Sequence, residues 1–204
     1  MADDFRNTYG DRERAASYAE LDFPGTYHVA FRDLPEIIGG QLAGGAALDF
    51  GCGTGRSTRF LRRLGFDPVV GIDISEAMLE LARDRDPTGD YRRVPDGDLS
   101  SLREASFDLV FCAFPFDNIA DRAHKVRLFD QLGRLLSPAG RLVNLVSSHE
   151  LYLNDWASFS CRHFADNHTA RPGDVVRVVM LDVDDQRPVE DILWPDPQYR
   201  EVYQ

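Results

Sequence analysis

Between about Ala46 and Ser147, short apolar runs alternate with longer stretches whose apolar positions recur every three or four residues. That alternation is the pattern of βαβ units building a parallel sheet. Strands are predicted at Ala46–Phe50, Pro68–Asp73, Tyr91–Val94, Phe107–Phe114 and Arg141–Ser147. Several are apolar nearly throughout, as strands covered by helices on both faces must be. The helices between them carry their own punctuation. Arg56–Leu64 runs to Gly65, and Glu76–Arg83 follows Ser75, whose hydroxyl can cap the free amides. Asp121–Leu136 sets Val126, Phe129, Leu132 and Leu136 at helical spacing, and Ser137-Pro138-Ala139-Gly140 should stop it. Right-handed crossovers then give an α/β fold with a doubly wound, mainly parallel sheet and a ligand crevice beside the first strand.

Flanking this core, the pattern changes. Asp11–Leu21 and Tyr27–Leu42 read as helices, the second interrupted at Pro35, and residues 1–45 are expected to form an N-terminal cover over the crevice. After the core at 46–147, the β-rich runs Asp174–Asp182 and Val189–Trp194 read as an inserted antiparallel hairpin, joined through the turn-like Asp184-Asp185-Gln186-Arg187-Pro188. A last helix should begin at Asp196 as N-cap, with Pro197 in its first turn and Tyr199, Val202 and Tyr203 on its apolar face. The fifth strand is then exposed as a sheet edge. Either the native chain continues past Gln204, or the hairpin and last helix fold back, or a second copy pairs there. The whole reads as one domain, with 148–204 as its substrate-side insertion.

Composition narrows the function. The 204 residues carry 23 Lys and Arg against 34 Asp and Glu, a formal charge of −11, and no basic cluster that could neutralise a phosphate backbone. A nucleic-acid partner is not expected. The first residues have neither a basic start nor an apolar stretch, and no window approaches a membrane span, so a cytoplasmic protein without membrane attachment is expected. Cys52, Cys112 and Cys161 form no disulfide framework. Cys161, His163 and His168 fit no familiar zinc spacing, and no metal is expected.

The sharpest chemical signal is Leu48-Asp49-Phe50-Gly51-Cys52-Gly53-Thr54-Gly55, an apolar strand running into three glycines at alternate positions and then a helix. Such a turn needs glycine where φ is positive and where a ligand lies against the main chain. Helix N-terminal amides then face that ligand. At the end of the second strand stands Asp73, where a carboxylate can accept both hydroxyls of an adenosine ribose.

The glycine loop with Asp49, the acid Asp73, Gly97-Asp98-Leu99 and Phe107-Asp108-Leu109-Val110 together resemble the class I S-adenosylmethionine-dependent methyltransferases, over roughly residues 9 to 147. The resemblance implies S-adenosyl-L-methionine as cofactor. It implies that Gly51, Cys52, Gly53 and Gly55 lie along the methionine portion with Asp49 near its amino end. Asp73 would hold the ribose, Ile74 would flank the adenine, and Met78 would be a further cofactor-binding residue. Asp98 and Leu99 would read the adenine edge, Ala113 would border the site, and Tyr18 would cover the methionine end. The third glycine comes one residue earlier than in Gly-x-Gly-x-x-Gly, which weighs against the alternative of a nicotinamide-dependent oxidoreductase. A catalytically silent partner subunit that keeps the fold is the other alternative.

For the acceptor, Phe114-Pro115-Phe116-Asp117-Asn118-Ile119 leaves the carboxyl end of the fourth strand. Phe114 and Phe116 are expected to form an apolar wall, with Asp117 or Asn118 orienting a hydroxyl or amine. His149, just past the fifth strand, is the candidate base beside Asp117. From Glu150 onward the chain has eleven acids, five Arg and no Lys, a field that favours a neutral or cationic small molecule over a phosphorylated one. The acceptor is a small molecule methylated on O or N, and a homodimer is a further expected assembly.

Overall fold

The computed structural model describes residues 11–21, 25–39 and 44–204. Five parallel strands, β1 (Ala47–Phe50), β2 (Val69–Asp73), β3 (Asp90–Arg93), β4 (Phe107–Ala113) and β5 (Leu136–Leu145), stand in the order β3-β2-β1-β4-β5. Chain direction across the sheet reverses beside β1, and the crevice between the carboxyl ends of β1 and β4 is the switch point of a doubly wound fold.

Strand residues alternate between two cores. Ala47, Leu109 and Phe111 face one side with Phe31, Leu34, Ile38 and Leu61. Leu48, Phe50, Val110 and Cys112 face the other with Leu128, Leu132 and Leu135. The helices supplying these side chains begin as their sequences dictate. Asp11 accepts the amides of Glu13 and Arg14 ahead of α1 (Arg12–Glu20), Ser75 accepts that of Met78 ahead of α5 (Glu76–Arg85), and Asp121 accepts that of Ala123 ahead of α6 (Arg122–Leu135). The helix α4 (Arg56–Arg63) follows the glycine loop directly.

Several expectations need correction. The helix expected over Tyr27–Leu42 is two short ones, α2 (His28–Arg32) and α3 (Leu34–Ile38), because Pro35 begins a new first turn and Gly39, at φ +79°, ends it; residues 40–42 lie outside the described residues. The stop signal at 137–140 does end α6, but the backbone continues at once as strand. β5 starts at Leu136, and a shift in register between Phe107 and Leu109 absorbs the extra residues. The expected hairpin is present as β7 (Val175–Met180) and β8 (Val189–Ile192), with an additional short strand, β6 (Phe159–Ser160), on β7. These three strands form their own sheet and leave the outer edge of β5 without a strand partner among the described residues. The final helix, α7 (Asp196–Val202), has Pro195 rather than Asp196 at its N-cap; Asp196 instead accepts from Arg200 one turn on. α7 packs on α6, and Asn144 of β5 donates to the Tyr203 hydroxyl at 2.9 Å, so the edge is approached by a helix end and not by the hairpin. Cys52, Cys112 and Cys161 are buried free thiols. Among the described residues no helix is long and apolar enough to cross a membrane.

Candidate active site

The loop after β1 takes the conformations that only glycine adopts cheaply, with φ of +72°, +52° and +76° at Gly51, Gly53 and Gly55. Each glycine answers to a different neighbour. A Cβ on Gly51 would stand 2.6 Å from Pro115, and one on Gly55 would collide with the Tyr91 hydroxyl, whereas the side-chain direction of Gly53 opens on empty space. Gly51 and Gly53 therefore line the cavity beyond the loop, while Gly55 is a packing glycine that turns the chain into α4.

Two acids fix this loop. Asp49 is fully buried, and its Oδ2 accepts from the hydroxyls of Ser57 and Thr58 at 2.7 and 2.6 Å, which ties the first turn of α4 to β1. Burial pushes its carboxyl up to about 6. Asp49 Oδ1 is left with no hydrogen-bond partner among the described residues. Asp73 accepts the Gly53 amide on Oδ2 at 2.9 Å and the Ser75 amide on Oδ1 at 2.8 Å. Burial raises its pKa, against the lowering effect of these amides. Each carboxylate oxygen can accept about two hydrogen bonds, so both oxygens of Asp73 keep capacity for a diol.

A cavity of about 760 Å³ runs from this loop across the carboxyl ends of β1 and β4 to the small antiparallel sheet. Tyr18, Ile74, Met78, Ala113, Phe114 and Asn118 line it as expected from the sequence, together with Asp73 and Asp117. A narrower recess beside the loop is lined by Cys52, Thr54 and Arg56 as well as Tyr18 and Tyr27. Phe114, at φ +67°, holds an unusual conformation for a bulky residue, and its ring packs against Tyr27 at 5.7 Å between centroids while facing the cavity.

Six expected contacts fall elsewhere: Asp49 and Gly55, which hold the loop and α4 as described above without lining either space, and Phe116, His149, Asp98 and Leu99. Phe116 is fully buried and stacks on Phe129 at 4.2 Å, because the 3-10 turn Pro115–Asn118 points it into the core while Asp117 faces the cavity. His149 begins a second 3-10 turn, His149–Tyr152, capped by Ser148; its ring does not line the cavity. The carboxylate of Asp98 is exposed and accepts the Ser100 amide, and Leu99 is buried in the core, so Val94 and Gly97 supply the cavity wall in that region.

The sequence reading missed two residues. Arg56, the first residue of α4, is buried with its guanidinium 4.2 Å from the Tyr27 ring centroid and 5.1 Å from that of Tyr18, and donates to the Tyr18 carbonyl. No carboxylate lies within ion-pair distance of it among the described residues. Asp191 of β8 is buried, lines the cavity with Asp117 and accepts from the Tyr152 hydroxyl at 2.9 Å. Its signal was available, since it alternates in phase with the inward Val189 and should have been apolar.

A doubly wound sheet, a glycine cradle open at Gly53 and an acid with free acceptor capacity at the end of β2 are the features of a protein that binds an adenosine-containing cofactor at its switch point. Residues 48–144 match the methyltransferase domain family. The chain is 25% identical to N-demethylindolmycin N-methyltransferase of Streptomyces griseus over 94% of this chain and 79% of that one. It is 38% identical to demethylmenaquinone methyltransferase of Tropheryma whipplei over 54% of this chain and 45% of that one, so it spans about half the length of that relative. The fold is shared with the PH0226 protein of Pyrococcus horikoshii, at a TM-score of 0.67 and 19% identity, over 93% of this chain and 87% of that one. Residues 48–144 thus form a methyltransferase domain of the S-adenosylmethionine-dependent class I kind, and its methyl donor is S-adenosylmethionine.

Proposed function

We propose that the chain transfers the methyl group of S-adenosylmethionine to an oxygen or nitrogen of a small, largely apolar molecule. The observation that carries this reading is the single cavity joining the Gly53–Asp73 cradle to a second region walled by Phe114, Leu151, Phe159 and Met180. In this reading Asp73 holds the ribose hydroxyls, Gly51 and Gly53 lie against the methionine portion, and Ile74 and Met78 flank the adenine. Arg56 meets the methionyl carboxylate and Tyr18 covers that end. When bound, the donor supplies a methyl group already activated on a sulfonium. The protein's task is to hold the acceptor atom in line with it and to exclude water. Phe114 sets the apolar wall, and Asp117 with Asn118 orients the acceptor's polar group.

Residues 148–204 are the acceptor-side insertion on the core at 46–147. The relatives that act on indolmycin and quinone precursors agree with a small-molecule acceptor. The partner is that small molecule and no nucleic acid; the location is the cytoplasm, and the assembly is a homodimer. Calorimetric titration with S-adenosylmethionine, followed by an acceptor screen with labelled donor and mass detection, tests the reading. Donor binding with no turnover on any acceptor would instead favour the silent partner subunit. Preference for a nicotinamide dinucleotide would overturn the methyltransferase reading.

A further inference from the structure

The acceptor half of the cavity has a charge pattern that its apolar walls do not require. Among the described residues Asp73, Asp117 and Asp191 line the cavity and no Lys or Arg does; the other titratable residues there are His28, His124 and the two tyrosines Tyr18 and Tyr27. Asp73 is committed at the donor end. Asp117 and Asp191 belong to the opposite wall, where the turn Pro115–Asn118 packs against β8.

Both of these carboxylates are more than nine-tenths buried, with 4% and 8% of their surfaces exposed. Asp117 accepts the Ser147 amide on Oδ2 and is further stabilised by the Ser147 hydroxyl, and Asp191 accepts the Tyr152 hydroxyl on Oδ2; both are neutral donors, and neither acid has an ion-pair partner within 4 Å among the described residues. Neither Oδ1 is among the fully buried polar atoms without a partner, and both residues line the cavity, so each keeps acceptor capacity that a ligand in the cavity can use.

The surrounding charges do not close the balance. Lys125 of α6 is the nearest cation to Asp117, but it donates to the Phe116 carbonyl and makes no ion pair within 4 Å among the described residues. Its ammonium sits among the rings of Phe116, Trp194 and Tyr199. Arg14 of α1 acts on Asp191 only at a distance and donates to the Pro188 carbonyl. Neither carboxylate therefore has a cation in contact with it, and Phe114, Trp156 and Phe159, whose rings also favour a cation, line the same cavity. Burial raises the pKa of both acids, and their mutual repulsion raises Asp191 further, as expected for a pair waiting for a cationic partner.

Resting on the methyltransferase reading above, we propose that Asp117 and Asp191 recognise the amino group of the acceptor, so that the substrate is a small apolar amine and the atom methylated is its nitrogen. The amine arrives as an ammonium and gives one proton to a carboxylate of the pair. The freed nitrogen lone pair attacks the methyl carbon, the carbon–sulfur bond breaks with its electrons going to sulfur, and the products are the N-methylammonium and S-adenosylhomocysteine. The carboxyl proton then leaves to solvent. A hydroxyl acceptor would fill one hydrogen bond and leave the charge unbalanced, and a phosphate or carboxylate would be repelled.

The test uses the protein saturated with S-adenosylhomocysteine and titrated calorimetrically at pH 8 with matched probes, tryptamine against tryptophol and phenethylamine against phenethyl alcohol. At least one amine should bind about tenfold or more tighter than its alcohol, the scale of a charge-assisted hydrogen bond. Asp191→Asn and Asp117→Asn should each remove that preference while leaving S-adenosylhomocysteine affinity unchanged, which also shows that the variants fold. Labelled donor should then yield the N-methyl product of the bound amine. The proposal is overturned if neither amine binds, if the alcohols bind equally well, or if the variants keep the preference. Failure of S-adenosylhomocysteine to bind the wild-type protein would overturn the methyltransferase reading itself.

Discussion

Gly53 donates its backbone amide to Asp73 Oδ2 at 2.9 Å, so the glycine that opens on the cavity and the acid proposed to hold the donor's ribose are locked to each other. The bond joins the loop after β1 to the end of β2 and sets the orientation of the carboxylate before any ligand arrives. Pre-orientation of this kind lowers the ordering cost of binding.

Replacing Asp73 by Ala removes the proposed ribose acceptor and also frees the Gly53 and Ser75 amides. Donor affinity is expected to fall by about 1.5–3 kcal/mol, the scale of hydrogen bonds to a charged group, with the fold retained. Calorimetric titration with S-adenosylmethionine measures this, and an unchanged dissociation constant would remove Asp73 from the site.

Two glycines of the same loop should behave oppositely. Gly53→Val directs its Cβ, at φ +52°, into space where no described residue beyond its chain neighbours comes within 4 Å, so it should fold with a backbone penalty of about 1–2 kcal/mol and lose donor binding. Gly51→Ala drives a methyl against Pro115 at φ +72° and should cost about 2–4 kcal/mol of stability. Thermal denaturation and titration on both variants separate the two effects; normal donor binding by Gly53→Val is the outcome that contradicts this placement of the ligand.

The donor side was readable because backbone conformation restricts residue type. Glycines at positive φ, an acid ending β2 and a capping Ser75 are local requirements that show in the sequence. The acceptor side was less readable because it depends on which way successive residues of a short turn point. Phe114, Phe116 and Asp117 are neighbours, yet Phe116 goes to the core and the other two to the cavity, a choice made by packing against Phe129 and Phe50. Asp191 lies in a strand read only as half of a hairpin, and its meeting with Asp117 is a tertiary contact that no spacing encodes. The unpaired edge of β5 was foreseen, but covering by the hairpin was not realised, since β7 has its partners in β6 and β8.

Asp191 predicts a distinctive pH dependence. It holds its proton more tightly when folded, through burial and then repulsion by Asp117, so the folded state carries the extra proton above the unfolded pKa of about 4. Its contribution therefore makes stability fall as pH rises from about 4 toward its raised folded value. Asp117, Tyr152 and Arg14 are the groups that face it. Asp191→Asn cannot ionise and should gain on the wild type by roughly 2–4 kcal/mol between pH 4 and pH 8, read as the difference in denaturant midpoints at the two pH values. A difference that does not change with pH would show that Asp191 is not held against ionisation.

Arg56 yields the last prediction, because its partners explain its position but leave its charge unanswered. The guanidinium is buried between Tyr18 and Tyr27, donates to a main-chain carbonyl and lines the recess beside Gly51 and Gly53. The rings and hydroxyls of Tyr18 and Tyr27 and one carbonyl stabilise a buried cation without matching its charge, and a carboxylate supplied by the donor would do so. Arg56→Met keeps much of the packing volume and removes the charge. It should weaken S-adenosylmethionine by about 1.5–3 kcal/mol while leaving decarboxylated S-adenosylmethionine nearly unaffected, since that analogue has no carboxylate to lose. The wild type should likewise prefer the intact donor over the decarboxylated one by a similar factor. If Arg56→Met weakens both equally, the residue acts by holding Tyr18 and Tyr27 over the site; if it weakens neither, the methionyl carboxylate lies elsewhere.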